Sequence, residues 1–146
     1  MKRLVIVADL GRLRMFRVVR DRRGHRARNL LEVKVPQPVG GERSVYETVT
    51  DQAGRFPRAG GGMAFGEAHE MEAEQERKKV RALRREIEAL LEAEDCDSWN
   101  LAVPASIRSM LLGGMPLQVL ERLTRVVDAD LTKLPLEKLR ERFVPG

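Results

Sequence analysis

Between Ala68 and Glu94 the chain carries neither glycine nor proline, and Val80, Leu83, Ile87, Leu90 and Leu91 recur at the spacing of one helical face. That stretch predicts one long helix. Strand-like segments stand on both sides of it, so the chain is expected to be an α/β domain. Five glutamates between Glu67 and Glu76 precede six basic residues between Arg77 and Arg85. This order suits the dipole at the helix start and allows pairing between successive turns, so most of the charge run reads as a solvated helix face.

Upstream, Val5 to Ala8 form a short, largely β-branched apolar run, and residues 3–8 are read as a buried strand. Leu13, Met15 and either Phe16 or Val18 interleave with Arg12, Arg14, Arg17 and Arg20, predicting a half-buried second strand with an arginine-bearing face. Asp21 to Gly24 reads as a turn. Residues 27–35 alternate Leu31, Val33 and Val35 against Glu32 and Lys34, which predicts a third strand antiparallel to the second, ended by Pro36 and Pro38. After the long helix come an acidic turn at 94–97, a central strand at 99–103 and a helix whose first turn follows Pro104. A short helical turn at 117–122, a last strand at 123–128 and a terminal helix at 134–143 complete the pattern. The expected fold is a single α/β domain over residues 1–146, with a mixed five-stranded sheet flanked by helices in RNase H-like layering. Residues from about 40 to 66 hold seven glycines without a sustained period, and are expected to form a mobile loop.

At 146 residues one core is expected, built from aliphatic side chains because aromatics make up only 4% of the chain. The apolar run after Lys2 and Arg3 stops at Asp9, short of a secretory core, and no stretch is long and apolar enough to span a bilayer. The single cysteine, Cys96, rules out an internal disulfide framework. A cytoplasmic location without membrane association is the expectation. Residues 1–28 hold ten Lys or Arg against Asp9 and Asp21, a local net charge of +8 on a chain of net charge +5. Such asymmetry favours a polyanionic partner.

Few residues are equipped for catalysis. Cys96 lies between Asp95 and Asp97, whose charges disfavour a thiolate. His25 falls in an arginine-rich turn. His69, Glu72 and Glu76 share a helical face, but no second cluster completes a metal site. Asp9 and Asp130 are expected to meet at the sheet edge, where carboxylates are also common turn formers. The glycines at 60–62 match neither a phosphate-binding loop nor a dinucleotide fingerprint, so no cofactor is expected.

Taken together, VADLGRLRMFRV (7–18), DQAGR (51–55), His69 with its glutamates, LAVPASIRSML (101–111) and DADLTKLPLEKL (128–139) resemble the bacterial host-attachment family. That family is in turn similar in fold to the middle domain of archaeal and eukaryotic class I release factors and Pelota. In release factors a Gly-Gly-Gln loop precedes a long helix. Here Gly60, Gly61 and Gly62 lead to Met63 where the glutamine would stand, and a thioether cannot donate a hydrogen bond to water or to a leaving oxygen. Hydrolysis of peptidyl-tRNA is therefore not expected. The resemblance and the charge asymmetry lead to the expectation of a non-catalytic, translation-related factor that binds the ribosome or structured RNA. Arg12, Arg14, Arg17, Arg22, Arg23, Arg55 and Arg58 would contact phosphates. Two alternatives stand beside it: a metal-assisted hydrolase using Asp9, His69 and nearby carboxylates, and a protein-interaction module using the long helix.

Overall fold

The computed structural model describes residues 2–20, 28–37 and 65–144, and along the long helix it describes side chains from Glu70 onward. Five strands form one mixed sheet: β1 (Arg3–Ala8), β2 (Leu13–Arg20), β3 (Arg28–Val33), β4 (Ser98–Val103) and β5 (Leu123–Asp128). Their order is β3-β2-β1-β4-β5. β2 pairs antiparallel with both β1 and β3, whereas β4 runs parallel to β1 and β5 parallel to β4. The helices are α1 (Phe65–Glu94), α2 (Ala105–Gly113), α3 (Leu117–Arg122) and α4 (Leu136–Phe143). The expected α/β domain with a mixed five-stranded sheet is the fold observed.

β1 is the middle strand, and its residues Leu4 to Ala8 are all buried, because both faces of the sheet are covered. On the first face Leu4, Ile6, Leu13, Met15, Trp99 and Leu101 meet Val80, Leu83, Ile87 and Leu91 of α1, together with Ile107 and Leu111 of α2. On the second face Val5, Val7, Phe16, Leu30 and Ala102 meet Leu139 and Phe143 of the much shorter α4. The Trp99 indole N–H, buried with its ring, donates to the Val119 carbonyl of α3 at 2.9 Å, which satisfies its one polar atom.

One reading of the sequence needs correction. The arginines of β2 do not all share a face, because its pairing runs without a bulge from Leu13 to Arg20 and side chains alternate strictly along it. Arg14 lies on the face of Phe16, and Arg17 on the face of Met15. As expected, the first turn of α2 follows Pro104, which stands at φ −57° and ψ 140°, and the helix proper begins at Ala105. α1 begins at Phe65, so Gly66 belongs to the helix, whereas the rest of the glycine-rich segment and the turn at 21–24 lie outside the described residues.

Candidate functional site

The parallel strands β1, β4 and β5 end at one edge of the sheet, the edge where open α/β sheets commonly carry their sites. Asp9 follows β1 directly and Asp130 follows β5 by two residues. They do meet there, joined by Thr132, which is itself buried. The Thr132 hydroxyl lies 2.7 Å from Asp130 Oδ1 and 3.2 Å from Asp9 Oδ2. Both carboxylates also close turns: Asp9 Oδ1 accepts the N–H groups of Gly11 and Arg12 at 2.8 and 2.7 Å, and Asp130 Oδ1 accepts the N–H of Thr132 at 3.0 Å.

Burial pushes the Asp9 carboxyl above its ordinary value, and the neighbouring Asp130 adds to that, against the Gly11 and Arg12 N–H groups. At Asp130 burial acts in the same upward sense, but the hydrogen bonds from Thr132 outweigh it and hold the carboxyl below its ordinary value. Among the described residues no group of three or more His, Cys, Asp or Glu is placed to hold a metal. Through Thr132 and these turns, Asp9 and Asp130 clasp the ends of β1 and β5 together.

Arg14 reaches the same edge from β2. Its guanidinium donates to both Glu32 oxygens at 2.9 Å, to the Thr132 carbonyl at 3.1 Å and to the Leu134 carbonyl at 2.7 Å, and it covers the Phe16 ring. Arg17, on the other face, makes a two-pronged contact with Glu94 at 2.6 and 3.0 Å. Both guanidinium groups are thus engaged within the fold, by partners distant in the sequence that residue spacing gave no means of finding. Arg12 is half-buried, with its backbone held by Asp9. Arg22, Arg23, Arg55, Arg58, Gly60, Gly61, Gly62 and Met63 lie outside the described residues, as do His25 and the side chain of His69. Cys96 is buried, and burial raises its thiol pKa, with lesser contributions in the same sense from Asp97 and Asp95, against the nearby Arg122.

α1 offers a different kind of surface. It is 30 residues long, about 45 Å at the usual helical rise. Its first buried side chain after Glu70 is Val80, and from there to Leu91 it seals the first face of the sheet. Residues 70–79 contribute nothing to the core. Met71, Gln75 and Lys78 fall on one exposed stripe there, with Met71 at 51% exposure despite its apolar side chain. Beside them Glu74 pairs with Arg77 and Arg81.

Fold and surface thus define a single-sheet α/β protein whose longest helix keeps residues 70–79, one third of its length, out of the core. The chain belongs to the family described as "Protein required for attachment to host cells", whose family model matches residues 4–143. Neither the curated proteins nor the solved structures contain a match. The family description overturns the expectation of a translation-related factor binding the ribosome or structured RNA, since it concerns host attachment and carries no role in translation. Among the described residues no helix is long and apolar enough to cross a membrane.

Proposed function

We propose that this chain serves host attachment as a binding module rather than a catalyst, and that residues 70–79 of α1 are its contact surface for a partner protein. The supporting observation is the division of α1. Its second part is fixed on the sheet by Val80, Leu83, Ile87 and Leu91, whereas its first part presents Met71, Gln75 and Lys78 with no core to serve. A rigid helix with one anchored end presents side chains at fixed spacing, so little ordering entropy is lost when a partner docks. On this reading the chain works on the cytoplasmic side, where a lone buried thiol stays reduced, and supports the attachment machinery without being the adhesive surface itself.

Adherence of a deletion strain complemented with Met71→Glu/Lys78→Glu tests the proposal. Both positions are exposed, so the variant is expected to fold with unchanged helix content while adherence falls to the level of the uncomplemented strain. A folded, normally expressed variant that restores full adherence would refute this surface.

A further inference from the structure

We infer that the open end of the second sheet face is a binding site for a small phosphate-bearing molecule, held by Arg3, Arg20 and Arg28. α4 covers this face only as far as Phe143, and beyond it the sheet leaves a cavity of about 300 Å³ lined by Arg3, Val18, Arg28, Ser98, Asn100 and Thr124. An adjoining hollow of about 380 Å³ shares Arg3 and Arg28 and adds Arg20. Together they reach the size of ordinary small-molecule sites.

The strand register explains why the three cations converge. Arg20 and Arg28 are direct antiparallel partners, and Arg3 is the parallel partner of Ser98, beside Val18 on the same face. Like charges directly opposed across a strand pair repel, and such a pair is normally relieved by an acidic neighbour. Among the described residues none is supplied: Arg3, Arg20 and Arg28 have no hydrogen-bond or ion-pair partner there. This sets them apart from Arg14 and Arg17, whose partners Glu32 and Glu94 are in place.

Three guanidinium forks around one hollow match a tetrahedral oxyanion, which accepts from several directions, better than a planar carboxylate with two oxygens. A phosphate monoester also carries close to two charges at neutral pH, against one for a sulfate ester. Ser98, Asn100 and Thr124 lie along the rest of the hollow, and Thr124 already bonds Asn100 at 2.5 Å, which fixes a polar floor for the organic part of the ligand. The site is separate from the contact surface proposed on α1.

Calorimetric titration at low salt with pyrophosphate, methyl phosphate and methyl sulfate tests the inference on wild type, Arg3→Gln, Arg28→Gln and the equal-charge control Arg85→Gln on α1. The expected result is binding of both phosphates, weakened at least about tenfold in Arg3→Gln and Arg28→Gln and by less than about twofold in Arg85→Gln. Without phosphate, Arg28→Gln should melt no lower than wild type, because it removes the repulsion, and phosphate should no longer raise its melting temperature. No binding at millimolar phosphate, an equal loss in Arg85→Gln, or methyl sulfate binding as tightly as methyl phosphate would each overturn it.

Discussion

Glu94 is the last residue of α1, where the helix dipole disfavours a carboxylate, and no basic residue in that last turn offsets it. Compensation comes from elsewhere: Arg17 of β2 grips the carboxylate, and Lys2 caps the Glu94 carbonyl at 2.7 Å while lying 3.6 Å from the side chain. The hydrogen bond from Arg17 holds the Glu94 carboxyl below its ordinary value of 4.5, in spite of burial, with further help from the charges of Arg17 and Lys2. A depressed carboxyl stabilises the fold above the unfolded-state value, and that contribution is lost as the pH falls through the lower folded-state value. Glu94→Gln should therefore lower the melting temperature at neutral pH and converge with wild type in strong acid, as thermal melts across pH 2–7 can check. An unchanged gap at every pH would contradict this role. The sequence exposed the arginines but concealed this pairing, since Arg17 and Glu94 stand 77 residues apart.

At the scale of elements, α1 was the most legible part of the sequence because its apolar spacing needs no tertiary information. How it holds α2 was not. Arg84 leaves the α1 face to donate to the carbonyls of Leu111 and Met110 at 3.0 and 2.6 Å, closing an α2 end that has no basic residue in its own last turn. Gly114 makes room for this, since a Cβ there would collide with the Arg84 guanidinium. Gly114→Ala should displace that side chain and cost about 1 kcal/mol, and Arg84→Ala should cost a similar amount. The double variant should lose little more than either single one, as measured by denaturant unfolding. Full additivity would show that the glycine acts independently of the arginine. The misread face of β2 has the opposite origin: its arginines fall at both parities, and only pairing on both sides forces Arg14 and Arg17 apart.

For the whole molecule, three strands, a long helix and then alternating strands and helices were enough to define the layered architecture, because each element carries its own period. Function was less legible. The excess of positive charge at residues 1–28 suggested a polyanion as large as RNA, yet the fold draws Arg14 and Arg17 into internal pairs and gathers Arg3, Arg20 and Arg28 around a small hollow. Asp9 and Asp130 meet at the sheet edge, and their hydrogen bonds close turns there. Most directly, the central claim is that residues 70–79 of α1 are the surface that works in attachment. Photo-crosslinking in adhering cells, with the reactive group placed at Gln75 or Lys78 and, for comparison, at Glu137 on α4, measures it. A single protein crosslinked from both α1 positions and absent from Glu137, and lost in Met71→Glu, is the predicted result. Crosslinks from Glu137 alone, or none from α1 while the cells adhere normally, would contradict the account.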